Sequence, residues 1–88
     1  MNYLTKDFSA NAGDRVEVVL HGNAANVMLL DDNNFQNYKS RRQFAYYGGH
    51  YTASPVHITV PETKHWNLII DLGGAAGRVE ASVRLIPR

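Results

Sequence analysis

Pro55-Val56-His57-Ile58-Thr59-Val60-Pro61 is the segment whose pattern decides the fold. Val56, Ile58 and Val60 fall on one side of an extended chain and His57 and Thr59 on the other, because successive strand side chains point to opposite faces. A proline at each end leaves the backbone donors between them free for a ladder. The segment is therefore a half-buried β-strand.

The same period of two recurs on both sides of it. Downstream, His65 to Leu72 places Trp66, Leu68, Ile70 and Leu72 on one face, and Arg78 to Leu85 alternates as strictly, with Gly73-Gly74-Ala75-Ala76-Gly77 as the turn between them. Upstream, Arg15 to His21 aligns Val16, Val18 and Leu20, and Asn26 to Leu30 is apolar on both faces, as a central strand would be. Asn2 to Phe8 alternates weakly, as an edge or opening strand does. Gln43 to Tyr47 has strand-like aromatic content, stopped or bulged by Gly48-Gly49, and its alternation sends Phe44 and Tyr46 to the core. Asn11-Ala12-Gly13-Asp14 and Gly22-Asn23 supply turns.

Residues 31 to 39 break this pattern. Asp31 and Asp32 are helix-capping residues ahead of Phe35 and Tyr38, whose spacing of three puts them on one side of a helical turn. Lys39 at the basic end suits the helix dipole. One short helix or ordered loop among about seven strands predicts an all-β fold: a single-domain antiparallel β-sandwich over residues 1 to 88, jelly-roll-like in its arrangement. No crossover helices are available for βαβ units.

The bulk properties narrow the function further. A chain of 88 residues folds around one modest core and leaves little length for an elaborate active site. Nine Lys and Arg nearly cancel eight Asp and Glu, so the overall field gives no argument for nucleic acid or an anionic membrane. Cysteine is absent, which removes disulfides and thiolate chemistry and fits a reducing, cytoplasmic setting. Charged residues near the N-terminus stand where a signal peptide would be apolar, and no apolar run approaches the ~20 residues of a membrane helix.

Motifs for chemistry fail on spacing. The Gly73 to Arg78 loop lacks the Walker ending and precedes a strand, so a β-turn is the better account. The Asp31 to Asn34 cluster lacks the glycine and the final acid of a calcium loop. His50, His57 and His65 lie seven and eight residues apart, without the local spacing of a metal pair, and His21 and His57 fall on outward strand faces. No serine lies in a nucleophile elbow. No catalytic residue, metal ligand or cofactor is assigned.

What remains is Asn37 to Tyr51, which holds four of the five tyrosines together with Arg41, Arg42, Gly48-Gly49 and His50. Aromatic rings stack on sugars or bases, and guanidinium groups pair with carboxylates or phosphates. The expected ligand-binding surface comprises Arg41, Arg42, Tyr47, His50 and Asp71, with a small molecule, glycan or protein as partner. A structural homo-oligomer using the same tyrosines is the alternative, and a small enzyme with a site assembled across strands is a third.

Several segments also carry a resemblance. Val18 to Val27, Asn34-Phe35-x-x-Tyr38, Tyr46-Tyr47-Gly48-Gly49-His50, Ser54-Pro55-Val56 and His65-Trp66 with Asp71-Leu72-Gly73-Gly74 resemble a small bacterial family catalogued as domain of unknown function 1883. The resemblance covers nearly the whole chain. It implies a compact β-sandwich-like domain and, through an association with bacterial Toll/interleukin-receptor-like chains, a sensing or adaptor module; it implies no activity and carries over no catalytic residue. The order of strands also looks like that of the jelly-roll ligand-binding modules found beside secreted peptidases.

Overall fold

The computed structural model describes residues 3–22, 24–72 and 80–88. It contains seven strands and one helix: β1 (Tyr3–Ala10), β2 (Arg15–Leu20), β3 (Ala25–Asp31), α1 (Asp32–Lys39), β4 (Tyr47–Tyr51), β5 (Val56–Thr59), β6 (Lys64–Asp71) and β7 (Ala81–Ile86). Two sheets form, a four-stranded one ordered β1-β6-β3-β4 and a three-stranded one ordered β5-β2-β7, and all pairings are antiparallel. This is the all-β sandwich expected from the alternating patterns. Only the β3 to β4 connection stays within one sheet, and α1 lies in it.

The alternating residues build the space between the sheets. Val16 and Val18 from β2, Val56 and Ile58 from β5, Val27 and Leu29 from β3, and Trp66, Leu68 and Ile70 from β6 form one buried cluster. Burial of a residue of this size stabilises by about 1.5–3 kcal/mol. This cluster is the principal source of stability.

Strand β3 is apolar on its other face as well, and β6 adds Ile69 there between Asn67 and Asp71. Met28, Leu30 and Ile69 point away from the second sheet and form a smaller cluster with Phe35, Tyr38 and Phe44. Helix α1 covers this outer face, and Phe35 and Tyr38 are the pair whose spacing predicted it. An eight-residue helix is marginal alone. Here the Asp31 side chain caps it by accepting from the Asn34 N–H at 2.9 Å.

Two sequence expectations need correction. Gln43 to Tyr47 is not a strand: β4 starts at Tyr47 and runs through Gly48 and Gly49 to Tyr51. The glycines do not stop it because Gly48 adopts φ +133°, and a Cβ there would lie 2.0 Å from the Val27 carbonyl oxygen, so a missing side chain lets β4 approach β3. Tyr46 is not core either, being 47% exposed. Its ring does lie beside that of Phe44, 5.8 Å between centroids, but no strand pairing precedes Tyr47 to bury it. The turn expected at residues 73 to 77 and the start of the strand expected from Arg78 lie outside the described residues.

The Gly48 geometry makes a direct prediction. Gly48→Ala forces a left-handed backbone on alanine and drives its methyl into the Val27 carbonyl, so the unfolding free energy should fall by about 2 kcal/mol or more. Urea denaturation checks it, with Gly49→Ala, where a Cβ meets nothing within 4 Å, as the milder comparison.

Candidate functional site

The five expected site residues occupy three separate places. Arg41 and Arg42 close α1. The Arg41 N–H donates to the Tyr38 carbonyl at 3.2 Å and the Arg42 N–H to the Asn37 carbonyl at 2.8 Å, the paired bonds of a Schellman closure. Arg41 takes the left-handed position, φ 59°, that glycine usually fills. Both arginines are exposed. No ion pair found among the described residues uses either guanidinium.

Asp71 and His50 share the outer face of the larger sheet, flanking Asn26 across β6, β3 and β4. Asp71 is 6% exposed and accepts hydrogen bonds from Asn26 Nδ2 at 2.9 Å and the Tyr38 hydroxyl at 3.2 Å. Its carboxylate thus joins the end of α1 to two strands. Burial, and secondarily the Asp71 charge, push the Tyr38 hydroxyl up to about 12, so this phenol stays a donor across the ordinary pH range. Asp71 is committed to holding the helix.

A matching attachment lies at the helix start. His65 Nδ1 meets Asp32 at 2.7 Å and His65 Nε2 meets Asp7 at 2.9 Å, while Asn67 Nδ2 donates to the same Asp32 oxygen at 2.8 Å. An ionised carboxylate only accepts, so both ring nitrogens must donate and His65 is an imidazolium in this arrangement. The hydrogen bonds to Asp32 and then Asp7 raise its pKa, and those from Asn67 and then His65 lower that of Asp32. His65, its side chain still 40% exposed, thereby bridges β1, β6 and α1. His57 similarly meets Glu17 at 3.0 Å.

Tyr47 belongs elsewhere. It lies three residues from His50 on β4 and therefore on the opposite face. Its ring stands edge-on to Trp66 with centroids 6.0 Å apart. Together with Tyr46 it walls a cleft of about 240 Å³ floored by Leu29 and Trp66 and bordered by Asp31, Asn34, Glu62 and Lys64. Tyr46 and Tyr47 are 47% and 52% exposed, the two most exposed large apolar side chains among the described residues.

The chain is routed so that both tyrosines meet there. After the helix closes, Phe44 folds back against Tyr38, 5.2 Å between centroids, and the Ala45 N–H donates to Asn34 Oδ1 at 2.8 Å. Tyr46 follows, exposed, with its ring 5.8 Å from that of Phe44. On the opposite wall the Trp66 Nε1–H donates to the Glu62 carbonyl at 2.9 Å. Lys64 Nζ sits 2.9 Å from Glu62, 3.7 Å from Asp31 and 5.4 Å from the centre of the Trp66 ring. The Glu62 hydrogen bond is the main reason its pKa is raised, so the ammonium persists.

The cleft can grip a ligand by aromatic contact, hydrogen bonding and charge. It contains no nucleophile paired with a base, and no group of acids and histidines among the described residues is arranged to hold a metal. Sequence inspection named Tyr47 but missed Lys64, Glu62, Asp31 and Asn34, which come from β6, its preceding loop, the end of β3 and α1. One signal was available: Lys64 and Trp66 are two apart on a strand, so they share a face.

The chain belongs to the family described as domain of unknown function (DUF1883), whose model matches residues 1–88. No curated protein and no solved structure matches it. No helix among the described residues is long and apolar enough to cross a membrane.

Two outcomes follow from these attachments. Arg41→Gly should raise stability by about 0.5–1 kcal/mol, the relief of left-handed strain less the entropy of a freer unfolded chain, as denaturant titration will read. His65 has a raised folded-state pKa, so its contribution is complete below the ordinary histidine value of about 6.5 and is lost as pH rises through the raised value. Asp32, whose folded value is lowered, adds its share above the ordinary aspartate value of about 3.9, and that share is lost as pH falls through the lowered value. Unfolding midpoints followed from pH 6 to 9 should therefore decline in wild type and decline less in His65→Asn.

Proposed function

We propose that the protein is a noncatalytic binding module whose recognition surface is the cleft between Tyr46, Tyr47, Trp66 and Lys64. The observation that carries this reading is the exposure of two adjacent tyrosines beside the core residues Leu29 and Trp66. Leaving about half of each residue's surface in water forgoes burial that either tyrosine could have contributed to folding. Tyrosine is enriched at interfaces because it offers apolar area with a polar tip. Polar groups of Asn34, Asp31 and Lys64 converge on the same cleft and would orient what enters. A sensing or adaptor role, suggested by the family resemblance, fits a domain that binds without transforming. The lack of cysteine fits a cytoplasmic setting for it.

Arg41, Arg42 and His50 lie outside this cleft and would engage only a partner large enough to reach around the sheet edge. Self-association is the second reading, since a tyrosine pair suits a protein interface as well as a small ligand. Against pairing through the other edge of the larger sheet stands Lys6, whose position on β1 points inward beside Leu4 and Leu68, a charge placement that discourages strand-to-strand addition. Sedimentation across a hundredfold concentration range separates the two readings: a constant monomer removes self-association.

Screening glycan and peptide arrays should yield a ligand whose affinity drops at least tenfold in Tyr46→Ala and Tyr47→Ala and is little changed in Arg42→Ala. Equal binding by both tyrosine variants would remove the cleft from recognition.

A further inference from the structure

The cleft already contains a cation. The Lys64 ammonium is held between the Glu62 and Asp31 carboxylates and over the Trp66 ring, with Tyr47 standing edge-on to the same indole. An aromatic face with nearby carboxylates is a chemical environment that favours ammonium groups, because the ring quadrupole and the acids attract the same charge. Two carboxylates against one lysine leave the cleft with a net negative charge.

Lys64 is also poorly suited to being a permanent part of the wall. Its side chain is 37% exposed and that of Glu62 66%, so their ion pair is a surface pair of little stabilising worth. A four-carbon stem can swing to solvent at low cost, uncovering the indole that it shields. We infer that the cleft is a site for an ammonium-bearing ligand, with Lys64 as a built-in occupant that such a ligand displaces. The inference rests on the proposed cleft and adds the chemical class of its ligand and a self-competing contact that sets its affinity.

Displacement has a clear energetic consequence. While Lys64 is in place, an incoming cation gains the ring and the carboxylates only by evicting an equivalent group. Removing Lys64 leaves Asp31 and Glu62 without their shared counter-ion and opens the indole face, so an external cation should bind more tightly. A neutral molecule of the same shape gains the apolar contact alone.

Choline and its uncharged isostere 3,3-dimethylbutanol make this contrast directly. Trp66 is the single tryptophan of the chain, so its emission reports occupancy of the cleft without a label. Titration at low salt should show choline binding Lys64→Ala at least tenfold more tightly than wild type, and Lys64→Ala should prefer choline over 3,3-dimethylbutanol by a similar factor. Adding Glu62→Gln to Lys64→Ala should reverse most of the gain. Lys64→Gln, which retains most of the stem, provides the same test should Lys64→Ala not fold. Equal affinity of the variant for choline and its isostere would overturn the cation assignment while leaving an apolar cleft. Absence of choline binding to a variant with native near-ultraviolet dichroism would overturn it as well, and the wider reading would still be decided by the tyrosine variants.

Discussion

Strand β6 is covered on both faces, and that condition forces much of the surrounding structure. Trp66, Leu68 and Ile70 fill the space between the sheets, while Ile69 is fully buried on the reverse face, between Asn67 and Asp71. A two-layer sandwich would leave that reverse face in water. Helix α1 supplies the missing layer, and because eight residues form a weak helix, it is fixed at both ends by side chains of β6. Asn67 and His65 hold Asp32 at its start, and Asp71 holds Tyr38 at its finish. These polar groups satisfy one another where a purely apolar strand would have left the helix free to slide.

Covering β6 in this way also determines where the exposed aromatics go. The chain must leave the helix on the outer face and re-enter the larger sheet as its edge strand β4. Phe44 serves the outer layer during that return, Asn34 holds the Ala45 N–H, and Tyr46 follows with its ring still 5.8 Å from that of Phe44 but exposed. Tyr46 and Tyr47 arrive beside Trp66 at the sheet edge. The cleft is thus a consequence of how the helix is attached, and the same β6 supplies both its indole and its ammonium.

Most of the sandwich was legible because its strands obey a period of two over several residues. Val16 with Val18, Val56 with Ile58, and Trp66 with Leu68 and Ile70 each declare a buried face locally, and the capped start of α1 was equally plain from Asp31, Phe35 and Tyr38. The segment before Tyr47 misled because strand-like composition says nothing about pairing: Gln43 to Tyr46 has aromatic residues but no ladder, whereas Gly48 and Gly49 look like breakers and lie within one. Gly48 is readable only with the neighbouring Val27 carbonyl in view. The candidate site was the least legible part. Lys64 is far in sequence from Asp31 and Tyr47, and His65 meets carboxylates from residues 7 and 32, contacts that only the register of β1, β6 and β3 can bring about.

The central claim is that recognition occurs at the tyrosine cleft and that the arginine turn and the His50 face lie outside it. Chemical-shift mapping with isotopically labelled protein tests this most directly, because every backbone amide and the single Trp66 indole report at once. On adding a ligand found by screening, the account predicts perturbations concentrated at residues 45–47 and 62–66 and at the Trp66 indole N–H. Perturbations concentrated instead around Arg41 and Arg42, or around Asn26 and His50 with the Trp66 indole unmoved, would contradict it.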